Sequence, residues 1–306
     1  MIRLVRLGVF SPSVLLEVAV ESGGLRRAGL DVREIPVASS AQQFTMLLEG
    51  GLEAVLTSPD NVLAYRNPRS SPLGAGVDVR ILAAVDRGLG LSLFSSPDAE
   101  LRGGVLAVDA PYSGFAFAAY ELLLRRGLRR SLDYEVVPLG STPMRAEALM
   151  AGRCTMTMLN AGSDLRAEAA GCVRLSRAVT LGGYAGTVLA ARGDDVDQGK
   201  QALRALTQVL LVTARDLVSG AAEAAAIPIA ARRLGLDPAG AARYLATLAD
   251  PQEGLVPDGR LDPTALQTLR RLRTDHGSAA QPTSFAEQDP GLLDERFLLP
   301  PPATLP

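Results

Sequence analysis

The chain of 306 residues has no tryptophan, a single histidine, a single lysine and two cysteines. Without tryptophan, and with few other aromatics, it lacks the stacking platforms on which bases and sugar rings are bound. Its cations are almost all arginine, a bias of composition rather than of function. The net charge of −2, with signs interspersed, leaves neither a nucleic-acid footprint nor a basic membrane face. A Ser-His-Asp triad or a histidine metal site would have to use His276. The run Thr274-Asp275-His276-Gly277 sets that residue just past a helix, as an exposed C-terminal cap. Phosphate-loop, dinucleotide and zinc-helix motifs are all missing, so the sequence calls for no cofactor and no metal and names no catalytic residue. Cys154 lies in an apolar strand pattern and reads as a small buried hydrophobe. A disulfide to Cys172 stays open, and two cysteines do not fix a redox compartment.

No stretch is apolar for long enough to span a membrane. The start, Met1 to Arg6, has the basic character of a signal peptide. Ser11, Pro12 and Glu17 then interrupt any apolar run, and neither a cleavage site nor a lipobox cysteine follows. Residues 3–10 read instead as a strand. On this reading the protein is cytoplasmic if Met1 is the native start, and periplasmic or at the cell surface if an export signal was removed.

What the sequence does contain is a patterned stretch from Leu30 to Asn61. A strand ends near Val37, and Ser39 and Ser40 offer a helix cap with Gln42 and Gln43 each three residues on. Met46, Leu47 and Leu48 give that helix an apolar face, and Gly50-Gly51 stops it. Ala54 to Leu56 is a short buried strand. Ser58-Pro59 then reads as a cap followed by a first-position proline. A shift of 102 positions sets Leu132-Asp133 against Leu30-Asp31, Pro138 against Pro36, Ser141 against Ser39 and Gly152 against Gly50, without a gap. The same shift carried backwards sets Leu106 to Val108 against Leu4 to Arg6 and Ser113 against Ser11. Two similar α/β units therefore lie in one chain, at a period too long for a solenoid.

The rest of the chain frames these units. Ser11-Pro12 reads as the cap of a helix running to about Arg27. Strands over Val79–Val85 and Leu91–Ser95, and a return near Tyr184–Ala190, read as two crossings, with hinges at 85–95 and 180–188. The second unit offers helix starts at Ser113 and at Thr142-Pro143, and a strand ending at Asn160. Lys200 to Val218 is amphipathic, Asp237-Pro238 and Asp262-Pro263 open two further helices, and a polar, proline-rich tail from about Gly277 wraps the surface or is disordered.

In an open α/β sheet, ligands bind at the carboxyl ends of the strands, where such helix N-termini gather. Their unpaired N–H groups and dipoles favour an anionic or strongly polar ligand. The acids near these loops, Asp60, Asp109 and Asp164, read first as caps and second as bases.

At this point a resemblance enters. Leu30-Asp31-Val32, the loop Ser39 to Gln42, the run Leu47 to Val55 and the segment Thr57 to Asn61 resemble type II periplasmic substrate-binding proteins, in the nitrate/sulfonate/taurine branch of ABC-transporter binding proteins. Ala107 to Phe115 and Gly140 to Gly152 resemble that family's second lobe. The likeness spans about residues 2 to 250. It implies an α/β, two-lobed fold, each lobe a mixed sheet flanked by helices, with residues 1–88 and 187–306 in one lobe and 89–186 in the other. It implies a small polar, anionic organic ligand held between the lobes, an ABC transporter permease as partner, and no nucleic acid. The cleft would be lined at Phe10 and Ser11, Ser39, Ser40 and Gln42, Thr57, Ser58 and Asn61, Tyr112 and Ser113, Ser141, Thr142 and Arg145, and Asn160. Cytosolic relatives of the fold include enzymes such as chorismate dehydratase, and an enzyme acting on a small carboxylate is the competing reading. Thiamine-pyrimidine synthase uses histidines that this chain lacks. A pure scaffold would leave no pocket of roughly 300 Å³ or more between the lobes.

Arg145 poses a separate question. With Thr142 as cap and Pro143 presetting the first turn, a cation at the third helical position opposes the dipole. Two compensations are open. The plainer is an ion pair with Glu147 or Glu135; the other is an anionic ligand.

Overall fold

The computed structural model describes residues 2–277, 289 and 291–298. The first unit runs β1 (Arg3–Val9), α1 (Val14–Glu21), α2 (Gly24–Arg27), β2 (Leu30–Pro36), α3 (Ser40–Leu48), β3 (Ala54–Thr57), α4 (Pro59–Arg66) and β4 (Val79–Asp86). The second runs β5 (Ser92–Ser95), β6 (Gly104–Val108), α5 (Gly114–Leu124), β7 (Tyr134–Pro138), α6 (Thr142–Met150), β8 (Met156–Leu159), α7 (Ser163–Ala169) and β9 (Val173–Arg177). The chain then returns through β10 (Thr187–Arg192) to α8 (Gly193–Asp197), α9 (Gln201–Val218), α10 (Glu223–Leu234), α11 (Pro238–Ala249) and α12 (Pro263–His276).

Two five-stranded mixed sheets result, ordered β2-β1-β3-β10-β4 and β7-β6-β8-β5-β9. The orders are equivalent, with three parallel strands in each followed by two in antiparallel pairing. The repeat legible in the sequence is thus a repeat of topology. Its register differs in one place. Val9 faces Pro36 and Val108 faces Pro138, so β6 stands 99 positions after β1, whereas β7 stands 102 after β2. The shift that holds from Leu30 to Pro59 slips by three residues in the first strand, because the helical connection to β7 is that much longer than the one to β2.

Helix starts follow local hydrogen bonding. Ser58 accepts from Asp60 N at 3.2 Å with Pro59 at the first helical position, and Ser39 and Ser113 cap α3 and α5 in the same way. The first helix departs from the reading at Ser11-Pro12. Its cap is Ser13, which accepts from Leu16 N at 3.2 Å, and Pro12 stands outside the helix. That helix also breaks at Gly23, whose φ of +73° is readily available only to glycine. Thr142 is the first residue of α6 rather than its cap, a place taken by Ser141. Asp237 and Asp262 cap α11 and α12. Helix α10 had no counterpart in the sequence reading, because Pro228 inside it masked the helical pattern.

Helices α1, α9, α10 and α11 cover one face of the first sheet through Leu15, Leu206, Leu210, Ile229 and Tyr244. Phe44 of α3 stacks on Tyr65 of α4 at 4.0 Å against the other face. In the second sheet, α5 packs on one face, and Leu149 of α6 and Ala167 of α7 lie with Phe94 and Leu159 in a separate core cluster. Helix α12, grouped with the first lobe in the sequence reading, sets Ala265, Leu269 and Leu272 into the second lobe's core beside Phe117 and Tyr120. Its Leu266 reaches the first lobe's cluster. It therefore spans both lobes. Most of the proline-rich tail lies outside the described residues. The described part covers the open edge of β4, where Ile81 N donates to Leu292 O and Asp294 N to Ile81 O, with Phe297 buried beneath.

Candidate ligand-binding cleft

The carboxyl ends of β1, β3, β6 and β8 open onto a cavity between the two sheets, with about 1040 Å³ of space free of protein atoms, its mouth included. Ten of the residues predicted from the sequence meet there: Phe10, Ser11, Thr57, Ser58 and Asn61 from the first lobe, and Ser113, Ser141, Thr142, Arg145 and Asn160 from the second. Local bonds fix several of them. Asn61 Nδ2 donates to Thr57 Oγ1 at 3.1 Å, and Asn160 Nδ2 to Gly88 O at 2.9 Å, which ties the cleft floor to the first crossing. Apolar walls come from Val9, Val14, Leu56, Leu248 and Leu255.

Four predicted residues lie outside the lining. Ser39 is occupied as the cap of α3, Gln42 Oε1 accepts from Ala38 N at 2.8 Å, and Ser40 Oγ accepts from the Tyr65 hydroxyl at 3.2 Å. These bonds seal the N-terminus of α3 with its own side chains. Tyr112 is 52% exposed, with the Arg130 guanidinium 5.4 Å from its ring centre. The equivalent loop of the second lobe is built differently. Ser141 makes no capping bond, so the start of α6 beside the cavity has no side-chain cap.

Behind that terminus lies Arg145, only 1% exposed. The expected ion pair with Glu147 or Glu135 does not form; Glu147 instead holds Arg166 at 2.7 Å. The guanidinium donates to neutral oxygens alone: Nε to Thr157 Oγ1 at 3.1 Å, Nη1 to Gly140 O at 2.5 Å, and Nη2 to Thr142 Oγ1 at 3.1 Å and Met158 O at 3.3 Å. Burial pulls its pKa down, and the charge of Asp109 offsets this in part. An arginine keeps its charge even so. Because Thr142 Oγ1 accepts from Arg145, its hydroxyl hydrogen is left to donate elsewhere.

The three acids considered as bases separate. Asp60 is fully buried in an ion pair with Arg273 and does not line the cavity. Asp164 accepts from Gly162 N at 3.0 Å, with Arg174 at 3.4 Å, and burial pushes its pKa up to about 6; it too lies outside. Asp109 does line the cavity, and its Oδ1 accepts from Ser113 Oγ at 2.5 Å.

The sequence reading missed Asp86, Gly186, Thr187 and Tyr244, all in the lining. Asp86 is buried where the two crossings meet. It accepts from Gly88 N at 2.8 Å and from Thr187, and burial raises its pKa. Its signal was its place at the last residue of a strand entering a hinge, a pattern of topology rather than of residue type.

Cys154 and Cys172 are buried free thiols, and burial raises the Cys154 pKa to about 11. His276 is half-buried rather than exposed, with Nε2 3.0 Å from Glu121 Oε2. Among the described residues, no cluster of three His, Cys, Asp or Glu side chains is placed to hold a metal ion.

No protein-family model and no curated protein matches the chain. Solved structures do. The ligand-binding component of an ABC-type import system from Staphylococcus aureus, with zinc bound, superposes with a TM-score of 0.74 at 13% identity, over 96% of this chain and 97% of that one. The alkanesulfonate-binding protein SsuA from Xanthomonas axonopodis pv. citri, bound to MOPS, gives 0.67 at 17% identity, over 88% and 90%. The Candida albicans CA3427 gene product, described as having the generic periplasmic binding protein fold, gives 0.69 at 12%, over 95% and 93%. At these identities the likeness is one of fold, and the two equivalent mixed sheets joined by two crossings are the two-lobed fold of the type II periplasmic binding proteins.

Proposed function

We propose that the protein is a solute-binding protein that captures a small organic anion between its lobes for an ABC-type importer. The observation that carries this reading is Arg145, a buried cation without a carboxylate partner, set behind the N-terminus of α6, which has no side-chain cap. Dipole and guanidinium act in the same direction there, and both favour negative charge in the cavity. Ser141 and Thr142 supply hydroxyl donors, and the apolar walls suit a hydrocarbon body. The structural neighbour named for an alkanesulfonate supports an organic anion as ligand, and the neighbour named for an ABC-type import system supports the import role.

The lobes, taken as residues 2–88 with 187–262 and residues 89–186, with α12 packed across both, would rock about Arg87–Leu91 and Gly182–Gly186. The ligand would favour the closed state by touching both lobes at once. An ABC transporter permease would be the docking partner.

Thermal-shift screening of small sulfonates, carboxylates and their neutral isosteres tests the reading. Anions are expected to raise the melting temperature and isosteres of equal size are not. Equal stabilisation by both, or by neither, counts against it.

A further inference from the structure

We propose that the hydroxyl of Tyr244 on α11 sets the specificity of this cleft, by donating a hydrogen bond to an uncharged oxygen, a hydroxyl or a carbonyl, carried on the hydrocarbon body of the anionic ligand. The inference rests on the solute-capture reading and adds a second feature to the ligand it describes.

Tyr244 comes from outside the strand-end loops that supply most of the lining. Asp237 caps α11, and Ala241, Tyr244, Leu245 and Leu248 follow at helical spacing as its buried face. Tyr244 and Leu248, one turn apart, reach the cavity together, with Leu255 from the loop that follows. Only 3% of the Tyr244 surface is exposed, yet its hydroxyl has no hydrogen-bond partner among the described residues. The other buried tyrosines differ. Tyr65 and Tyr120 donate to Ser40 Oγ and Pro111 O, while the hydroxyls of Tyr134 and Tyr184 lack partners but are sealed inside the protein. That of Tyr244 is not sealed, and the residue lies in the cavity lining.

A buried tyrosine hydroxyl ordinarily finds a partner, because desolvating it alone is unfavourable. Burial, aided by the charges of Asp86 and Asp164, holds the Tyr244 pKa well above the ordinary tyrosine value, so the hydroxyl keeps its hydrogen and is a neutral donor. Its own side of the cavity gives it no acceptor. Leu248 and Leu255 are apolar, and the Asp86 carboxylate accepts from Gly88 and Thr187 instead. A ligand that fills the cavity therefore brings the acceptor or leaves the hydroxyl dry. Its anionic group is drawn to Arg145 in the second lobe. A second anion beside these leucines would be desolvated without a cation, which leaves an uncharged oxygen as the acceptor.

Pairs that exchange one hydroxyl for one methyl test this: 3-hydroxypropanesulfonate with butanesulfonate, 4-hydroxybutanoate with pentanoate, and 5-hydroxypentanoate with hexanoate. Calorimetry is run on the native protein and on Tyr244→Phe, which keeps the ring in its core cluster. The hydroxyl member of at least one pair is expected to bind tighter to the native protein. Tyr244→Phe should shift that preference about 10- to 100-fold towards the methyl member. The melting temperature of the free variant should not fall, since no bond within the protein is lost. The absence of a hydroxyl preference in every pair, a preference that survives in Tyr244→Phe, or a lowered melting temperature overturns this inference alone. Failure of every compound to bind overturns it together with the reading on which it rests.

Discussion

Asp60 on α4 and Arg273 on α12 form a buried ion pair that joins a helix of the first lobe to a helix seated on the core of the second. Arg273 Nε donates to Asp60 Oδ1 at 2.7 Å and Nη2 to Oδ2, and the guanidinium lies 5.0 Å from the centre of the Phe117 ring. Gly114, at the start of α5, is pressed so close that a Cβ there would sit 2.8 Å from Asp60 Cβ. Removing one member leaves an uncompensated buried charge, so Arg273→Met is expected to cost about 3–5 kcal/mol. The double variant Asp60→Leu with Arg273→Met should recover most of this. Urea denaturation measures both; a single-variant loss below about 1 kcal/mol contradicts the assignment.

Arg145 now carries two expectations. Of the two compensations open from sequence, the anionic-ligand one would have its loss touch binding and spare stability. Its burial and four hydrogen bonds change that, because Arg145→Met strands Gly140 O and Met158 O. A stability loss of about 1–3 kcal/mol is expected. Affinity for an anion found by screening should fall about 10- to 100-fold, as for one charge-assisted contact. Calorimetry at matched folded fraction decides the point, and unchanged affinity would assign Arg145 to structure alone.

Asp164 gives a pH signature. Burial raises its pKa from 3.8 to about 6, so between these values the folded state holds the proton more often than the unfolded state. Stability from this group is therefore full below about pH 4 and is lost as pH rises to about 6, a cost of about 2–3 kcal/mol at neutrality. Asp164→Asn should flatten the stability profile across that window and raise stability at pH 7. A variant profile that keeps the native slope there excludes Asp164 as its source.

Gly186 is fixed by close approach rather than by its dihedral angles. A Cβ at this position would collide with Asp86 Oδ1 and with the backbone of Gly88, where the two crossings touch. Gly186→Ala is expected to cost about 1–3 kcal/mol, as overpacking of a filled site does. It should also alter the change in radius on ligand binding, seen by small-angle scattering. A variant as stable as the native protein, with an unchanged scattering response, would show that the crossings are not tightly packed.

The architecture was legible because it is written twice. Ser39 and Ser141, Pro36 and Pro138, and Gly50 and Gly152 recur at one spacing, and that order of strand, cap and helix survives in both sheets. The strand-end loops were legible for the same reason, and most of the residues named in them face the cavity. What local pattern does not encode is what a side chain meets across the fold. Ser39, Ser40 and Gln42 look as available as Ser141 and Thr142, yet bonds to Ala38, to Tyr65 and within the cap itself close the first loop. Arg145 had carboxylates nearby in sequence and none in space. Asp86 and Tyr244 enter the cavity only because β10 and α11 return to the first lobe from far along the chain.

The account's central claim is that the cleft holds a small organic molecule and returns it unchanged. Incubating the protein with a mixed metabolite extract, separating bound from free by ultrafiltration, and comparing both fractions by mass spectrometry tests it most directly. Ser141→Trp serves as the blocked control, since Ser141 lines the cavity and makes no capping bond that the substitution would remove. The account predicts one anionic compound or a narrow class of them, retained intact by the native protein and absent from the variant. Depletion of a compound with the appearance of a new product, or the same compounds retained by both proteins, would contradict it.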